Sequence, residues 1–220
     1  MKLTGTAVIC DMFIEPHLGH VPGTPHHAGW IEVICGCMFS GKTEELIRRL
    51  NRAIIARQKV EIFKPALDQR YHRENIVSHN ETAIRSTPVN FAHDILLLAG
   101  DCQVVGIDEA QFFDEAIVEV CNTLANNGKR VIVAGLDMDF EGKPFGPMPH
   151  LLAVAEFVTK VHAICARTGQ LASFSFRLND NDERVMLGEK NEYEARSRTA
   201  FLEGMKLKEK RSQQDSQQKE

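Results

Sequence analysis

The chain reads Gly36-Cys37-Met38-Phe39-Ser40-Gly41-Lys42-Thr43 at the point that determines its architecture. This stretch has the phosphate-binding loop pattern of glycine, four residues, glycine, lysine and threonine. Glycines let backbone N–H groups turn inward around phosphate oxygens, while the lysine reaches the β- and γ-phosphates and the threonine hydroxyl ligates Mg²⁺. The stretch therefore predicts a nucleoside triphosphate site, with Lys42 on the phosphates and Thr43 as a magnesium ligand.

The segments on either side of this loop supply the setting that it requires. Residues 31–35 are apolar and predict a short buried strand, and residues 42–57 predict a helix. The predicted helix carries an apolar stripe, made of Leu46, Ile47, Leu50, Ala53 and Ile54. A helix N-terminus directly after the loop favours phosphate through its dipole. The alternative is a chance match in a glycine-containing turn, and both flanks argue against it.

The composition excludes several classes of protein. The chain has 220 residues, 43% of them hydrophobic, a net charge of −4 and a pI of about 6.1. This balance argues against a large basic surface and hence against a nucleic-acid partner. No apolar run reaches the roughly 18 residues of a membrane span, so no membrane partner is expected. Asp11 and Glu15 soon interrupt the short apolar patch at the N-terminus, which argues against a signal peptide.

The cysteines indicate a reducing compartment. Six cysteines stand at positions 10, 35, 37, 102, 121 and 165, and none of them forms a Cys-x-x-Cys pair. Several lie within apolar runs, where a cysteine behaves as a small buried hydrophobic residue. Free thiols of this kind fit a cytoplasmic protein.

Apolar strands alternate with amphipathic segments through the middle of the chain. Strands are predicted at residues 59–63, 103–107, 130–135 and 159–165, with a helix over 114–126. This alternation predicts an α/β fold of the P-loop NTPase type, in which helices cover a mostly parallel sheet over residues 30–164.

The remaining segments have a different character. Residues 1–29 are rich in proline, glycine and histidine and predict a poorly ordered extension, since no cysteine or carboxylate cluster supports a metal tract there. Residues 165–204 are polar and predict a small domain of short strands without a long helix. Residues 205–220 carry mixed charge, glutamine and serine, and predict a disordered tail.

Two adjacent carboxylates follow the predicted strand at 103–107. Asp108 comes directly after its apolar residues and would complete the magnesium site begun by Thr43. Successive side chains of an extended chain face opposite sides, so Glu109 is free for a different partner. It could accept the proton of an attacking hydroxyl or water. The alternative is an exposed acidic turn, which the buried strand before the pair disfavours.

Several motifs in order along the chain carry a resemblance to a known family. They are Met38-Phe39-Ser40-Gly41-Lys42-Thr43, Lys64-Pro65-Ala66-Leu67-Asp68-Gln69-Arg70-Tyr71, Asp108-Glu109-Ala110-Gln111-Phe112-Phe113, Gly135-Leu136-Asp137-Met138-Asp139-Phe140, Phe145-Gly146-Pro147-Met148 and Tyr193-Glu194-Ala195. Together they span roughly residues 30–203, and the chain resembles the type II thymidine kinase family, the zinc-containing cytosolic branch. The resemblance implies ATP and Mg²⁺, thymidine as the acceptor, a homotetramer and a small C-terminal lasso domain.

The resemblance also implies roles for individual residues. Glu109 matches the catalytic base that acts on the 5′-hydroxyl of thymidine, and Lys42 and Arg70 match catalytic cations. Asp68 and Arg70 lie near the transferred phosphoryl group in that family. The motif Asp108-Glu109-Ala110-Gln111 joins the phosphate loop as ATP-binding residues. From composition alone, Asp68 and Arg70 could instead be an exposed ion pair.

The nucleoside pocket is implied in the same way. The resemblance assigns the pocket an apolar lining, made of Met38, Phe112, Leu136, Phe140 and Phe145. It also assigns a loop that closes over the nucleoside, made of Met186, Gly188 and Tyr193. The alternative for the phenylalanines, including Phe113, is ordinary core burial. Phe140 and Phe145 stand in a loop rich in glycine, proline and aspartate, where core burial is less natural.

The chain departs from the family at the four positions that usually ligate zinc. Cys165 keeps the first position, but Thr168, Ser197 and Ala200 occupy the other three. One thiolate cannot form a closed tetrahedral site, so no structural zinc is predicted. Packing is expected to replace the metal, through Phe174, Phe176, Leu178 and Phe201, or else the lasso domain is looser.

These observations predict an ATP-dependent thymidine kinase that makes dTMP. Two alternatives remain at this point. One is a DNA-associated motor ATPase, since such proteins also carry an Asp-Glu pair after a strand. The other is a binding module that has lost turnover together with its zinc site, although the intact Lys42, Thr43, Asp108 and Glu109 argue against it.

Overall fold

A computed structural model describes residues 29–66, 75–77, 83–178 and 192–217 of the chain. The strands are β1 Trp30–Cys35, β2 Val60–Pro65, β3 Asn75–Val77, β4 Ala83–Arg85, β5 Thr87–Val89, β6 Val104–Ile107, β7 Arg130–Gly135, β8 Phe157–Lys160, β9 Ala163–Ile164, β10 Leu171–Ala172, β11 Phe174–Arg177 and β12 Tyr193–Arg196. The helices are α1 Lys42–Ile55, α2 Asp94–Leu98, α3 Ala116–Asn126, α4 Met148–Val154 and α5 Arg198–Gln217, with a 3₁₀ turn at Ala110–Phe112.

Six strands form one parallel sheet in the order β5-β2-β6-β7-β1-β8. The central strands β1, β6 and β7 are buried along almost their whole length, as expected for a parallel sheet with helices on both faces. One face packs against α1 through residues such as Leu46 and Leu50, and the other packs against α3 through residues such as Ile117 and Val120. The predicted α/β fold is therefore confirmed.

A buried charge network fixes α1 against the sheet. Glu32 of β1 accepts hydrogen bonds from Arg49 of α1 at 2.8 Å and from Arg130 of β7 at 2.6 Å. Arg49 also donates to Thr159 of β8 at 2.9 Å. Glu32 and Arg49 are fully buried, so removal of one partner would leave an uncompensated charge in the interior. The network thereby holds the helix that begins at the phosphate-binding loop.

A smaller unit follows the sheet. Strands β9 and β10 form one antiparallel pair, and β11 and β12 form another. The first turns of α5 pack against the second pair, where Phe201 stacks on Phe174 with ring centroids 4.6 Å apart and meets Phe176 edge-on at 6.1 Å. The predicted packing through these three phenylalanines is confirmed. The same prediction was wrong for Leu178, which is 39% exposed.

Two element predictions were wrong. The single strand expected at residues 159–165 is divided, because the chain leaves the central sheet after Lys160 and residues 163–164 pair with β10 instead. The disordered tail expected at 205–220 is helical as far as residue 217, and α5 begins inside the segment where no long helix was expected. Contacts of Phe201 and Gly204 with distant strands stabilise the start of this helix, and its polar sequence does not reveal them.

Other predictions agree more closely. The strands predicted at 31–35, 59–63, 103–107 and 130–135 and the helices at 42–57 and 114–126 lie within two residues of the observed bounds. Five free cysteines are buried as predicted, and they are Cys35, Cys37, Cys102, Cys121 and Cys165. The extension at 1–28 and Cys10 lie outside the described residues. Within the described ranges, no helix has the length and apolar character needed to cross a membrane.

Candidate active site

The phosphate-binding loop joins the end of β1 to the start of α1. Gly36 has a φ of 151°, and a Cβ on it would lie 2.2 Å from the carbonyl oxygen of Val161, so a side chain cannot fit there. The Lys42 ammonium donates a hydrogen bond to the carbonyl oxygen of Cys37 at 2.8 Å. The lysine thus lies across the loop that it follows, at the N-terminus of a 14-residue helix. This geometry suits an anion, since backbone N–H groups and a cation converge.

Asp108 lies beside the loop at the end of β6. The Thr43 hydroxyl donates to its Oδ2 atom at 3.4 Å, and the backbone N–H of Glu109 donates to its Oδ1 atom at 3.0 Å. Burial, and after it the neighbouring charge of Glu109, raise the pKa of Asp108 to about 7, against the lowering effects of the Glu109 backbone N–H, Lys42 and Thr43. A hydroxyl and a carboxylate are hard oxygen ligands of the kind that Mg²⁺ prefers, so these two residues fit such an ion.

Glu109 and Asp108 occupy different environments, as the sequence predicted. Asp108 is 6% exposed, whereas Glu109 is exposed. Glu109 has a φ of 52° and a ψ of 41°, the left-handed conformation that non-glycine residues rarely adopt. Strain of this kind costs of the order of 1–3 kcal/mol and persists only where the surroundings enforce it.

Gln111 helps to hold Glu109 in place. Its side-chain Nε2 donates to Oε2 of Glu109 at 2.5 Å, and its Oε1 accepts the backbone N–H of Leu136 at 2.9 Å. Gln111 is 3% exposed, and a Cβ on Gly146 would lie 2.5 Å from its carbonyl oxygen. One glutamine therefore connects Glu109 to the loop that follows β7. Contact of Gln111 with ATP stays a prediction.

The aromatic residues assigned to the nucleoside pocket come from the 3₁₀ turn at Ala110–Phe112 and from the loop after β7. Phe112 meets Phe145 edge-on with ring centroids 5.6 Å apart. Phe112, Leu136, Phe140 and Phe145 are all half-buried, which fits a pocket lining better than a core. Phe113, in contrast, is buried in the core, as the alternative for the phenylalanines supposed.

Met38 connects the phosphate-binding loop to the smaller unit, in which Tyr193 lies. The backbone N–H of Met38 donates to the Ser175 hydroxyl of β11 at 3.0 Å, which joins the phosphate-binding loop to the hairpin of β11 and β12. The hydroxyl of the buried Tyr193 accepts hydrogen bonds from Arg177. Four other predicted site residues, Asp68, Arg70, Met186 and Gly188, lie outside the described residues.

Sequence reasoning missed two charged residues near the site. Arg177 is buried at the end of β11, and Lys160, at the end of β8, forms an ion pair with Asp137 at 2.6 Å. A signal for Arg177 exists in the run Phe174-Ser175-Phe176-Arg177, where an arginine ends a short, mainly apolar strand shortly before the polar residues 179–184. Lys160 is the last residue of β8, the strand next to β1, so the sheet order was needed to place it beside the loop.

The resemblance implies four positions for zinc ligands, and these four residues, Cys165, Thr168, Ser197 and Ala200, lie together. The Thr168 hydroxyl donates to the Ser197 hydroxyl at 3.4 Å, and Ser197 Oγ accepts the backbone N–H of Ala200 at 3.5 Å. Burial raises the pKa of the Cys165 thiol, but hydrogen bonds from the Thr168 hydroxyl and from nearby backbone groups outweigh it and lower that pKa to about 6. Among the described residues, no group of three or more His, Cys, Asp or Glu side chains could hold a metal ion.

Comparison with known proteins agrees with this geometry. The thymidine kinase family pattern matches residues 29–201. A thymidine kinase of Bacteroides thetaiotaomicron is 58% identical over 191 residues, which are 87% of this chain and 94% of that protein. A thymidine kinase of a Rhodothermus species is 64% identical over 79% of this chain and 81% of its own length. One from Porphyromonas gingivalis is 62% identical over 79% of this chain and 85% of its own. With a match of this extent on the residues that form the site, the chain belongs to the thymidine kinase family.

Proposed function

We propose that the chain transfers the γ-phosphoryl group of ATP to the 5′-hydroxyl of thymidine and so makes dTMP. One observation carries this proposal: the side chain of Gln111 joins Glu109, beside the phosphate-binding loop, to Leu136 of the half-buried aromatic loop. Glu109 therefore lies between a site suited to phosphate and a site suited to a flat apolar base. A phosphoryl acceptor bound in the aromatic loop would present its hydroxyl to this carboxylate.

The phosphate side acts through charge and position. The backbone N–H groups of residues 36–43 and the N-terminus of α1 would surround the phosphates. Lys42 would leave the carbonyl of Cys37, to which it donates at 2.8 Å, and move to the β- and γ-phosphates. The hydrogen bond to Cys37 keeps the ammonium over the loop until then, so little reorientation is needed.

Thr43 and Asp108 would hold Mg²⁺, at the point where their side chains already approach to 3.4 Å. When bound, the ion neutralises charge on the β- and γ-phosphates. Because burial and Glu109 raise the pKa of Asp108 to about 7, a nearby cation would favour its ionised form.

Glu109 would accept the proton of the 5′-hydroxyl. Its Oε2 atom accepts the N–H of Gln111, so Oε1 is the atom available for that proton. The 5′-oxygen then forms a bond to the γ-phosphorus, the bond from that phosphorus to the β,γ-bridging oxygen breaks, and its electron pair leaves with ADP. Such a base contributes about 10²–10⁴-fold, and position and charge supply the rest.

The acceptor would lie against Phe112, Phe140 and Phe145. From the resemblance, we propose that Met38, Leu136 and Tyr193 complete the pocket, that Met186 and Gly188 close over it, and that Asp68 and Arg70 contact the phosphoryl region. We also propose a cytoplasmic homotetramer that acts on nucleosides and not on nucleic acid, in keeping with the acidic pI of about 6.1.

A panel of nucleosides with ATP and Mg²⁺, read by product mass, tests the proposal. We expect dTMP from thymidine. Deoxyuridine lacks one methyl group, which discriminates by only about 1–3 kcal/mol, so it should react more weakly. A salt-sensitive, DNA-stimulated ATP hydrolysis without any nucleoside product would favour a motor ATPase instead. Absence of transfer even in a single turnover would favour a binding module.

A further inference from the structure

Arg177 is a buried cation between two segments of the nucleoside region. It stands at the end of β11, opposite Tyr193 of β12 in the antiparallel ladder, and is 3% exposed. Its Nε and Nη2 atoms donate to the Tyr193 hydroxyl at 3.2 and 2.8 Å. Two donors of the planar guanidinium thus converge on one oxygen, which fixes the tyrosine ring relative to the hairpin.

The same guanidinium lies over the ring of Phe140. Its central carbon is 3.8 Å from the ring centroid, the distance of a stacked cation–π contact. Phe140 belongs to the loop after β7, which is far in sequence from β11 and β12. One side chain therefore joins the aromatic loop of the larger unit to the hairpin of the smaller unit.

Chemistry explains why an arginine occupies this position. The flat, weakly hydrated guanidinium can stack on an aromatic face and donate in its own plane at the same time, whereas a lysine ammonium is a strongly hydrated point charge. Desolvation strengthens a cation–π contact and also makes an arginine costly to bury without partners. The contacts with Phe140 and Tyr193 therefore help to stabilise the buried guanidinium.

We propose that Arg177 is a positioning residue for the nucleoside, which holds Phe140 and Tyr193 at the separation that a pyrimidine base requires. This rests on the proposed function, because Phe140 and Tyr193 are its pocket residues. Arg177 acts through these two residues and on the nucleoside side of the site. The phosphate-binding loop contacts the hairpin at Ser175, which accepts the backbone N–H of Met38. We therefore expect the KM for ATP to depend much less on Arg177 than the KM for thymidine does.

Steady-state kinetics for both substrates test this role. We expect Arg177→Met to raise the KM for thymidine by about ten- to a hundredfold and to leave the KM for ATP within about twofold, since both stabilising contacts are lost together. Arg177→Lys keeps the charge but not the planar donors and should raise the KM for thymidine to a similar degree. Tyr193→Phe should give a smaller rise, and adding it to Arg177→Met should change little more, since the hydroxyl then has no guanidinium to orient it.

The control is Arg167→Met, which removes an arginine of the same small unit that is 59% exposed and pairs with Glu194. It should leave both KM values unchanged. Thermal melting of every variant separates positioning from unfolding. The inference is overturned if Arg177→Met leaves the KM for thymidine unchanged, or if both KM values and the melting temperature change in parallel. Failure of the unaltered protein to form dTMP would instead refute the proposed function, and the inference with it.

Discussion

The phosphate-binding end and the small C-terminal unit are built in opposite ways. At the phosphate-binding end, Lys42 contacts Cys37 only five residues away, and the loop is contiguous in sequence. In the C-terminal unit, Thr168 meets Ser197 across 29 residues and Arg167 meets Glu194 across 27. A site formed by contiguous residues can be predicted from their sequence. A site assembled from distant segments, such as the cluster of Cys165, Thr168 and Ser197, depends on the fold to bring its residues together.

The largest effect is expected at the phosphate-binding end. Lys42→Ala removes the cation that reaches the phosphates, so transfer should fall by about 10³-fold or more. Product formation from labelled ATP measures the loss of transfer. The control is Lys129→Ala, because Lys129 lies at the opposite ends of the strands from the loop, where it donates to the carbonyls of Gly100 and Cys102. Full activity of the Lys42 variant would show that this loop is not the phosphate site.

Glu109→Gln should have the next largest effect. The substitution keeps the shape of the side chain but removes the base, so kcat should fall by about 10²–10⁴-fold while thymidine binding is retained. Kinetics in parallel with equilibrium binding of thymidine give the two quantities. Equal losses of kcat and binding would indicate that Glu109 is structural.

Gln111→Met tests whether the two ends of the site are coupled. Loss of the bonds to Glu109 and Leu136 should lower kcat by about ten- to a hundredfold, as small displacements of a catalytic group do, with less effect on the KM for ATP. Gln103→Met, at an exposed glutamine, is the matched control and should behave as the unaltered protein does. An unchanged kcat in the Gln111 variant would contradict the coupling.

Asp108→Asn should raise stability although it impairs activity. The folded state raises the pKa of Asp108 from 3.8 to about 7, so its ionised form disfavours folding. This cost is absent below the unfolded pKa, grows between pH 4 and 7, and is complete above pH 7. Without Mg²⁺ and ATP, the melting temperature of the variant should exceed that of the unaltered protein by about 2–5 °C at pH 8 and by less at pH 5. A gain that does not vary with pH would contradict this assignment.

The smallest effect is expected in the C-terminal unit, around Cys165. Treatment with a strong chelator should leave the melting temperature unchanged within about 1 °C, because one thiolate cannot form a closed zinc site. The control is the triple variant Thr168→Cys, Ser197→Cys and Ala200→Cys, which places four thiols at positions that lie together and should bind zinc and become chelator-sensitive. One tightly bound zinc per chain in the unaltered protein would refute the expectation.

The sequence predicts more of the phosphate-binding end than of the small C-terminal unit. The strand, loop and helix around Lys42 and the separation of Asp108 from Glu109 follow from periodicity and from the alternation of side chains along a strand. The break in the strand expected at 159–165 does not, since it depends on residues 163–164 pairing with β10 and no longer with the central sheet. Likewise, α5 and Arg177 depend on contacts with Phe176, Phe140 and Tyr193, which no local pattern displays.

The strand order of the sheet has a consequence for synthesis of the chain. Within the described residues, β1 pairs with β7 and β8, so the strand that precedes the phosphate-binding loop finds its neighbours about a hundred residues later. Glu32 likewise meets Arg130 across 98 positions. Parallel sheets of this kind acquire their contacts late and fold slowly. The loop emerges early from the ribosome but stays without its scaffold until most of the domain has been translated, so that nascent chains ending before residue 130 should bind no nucleotide.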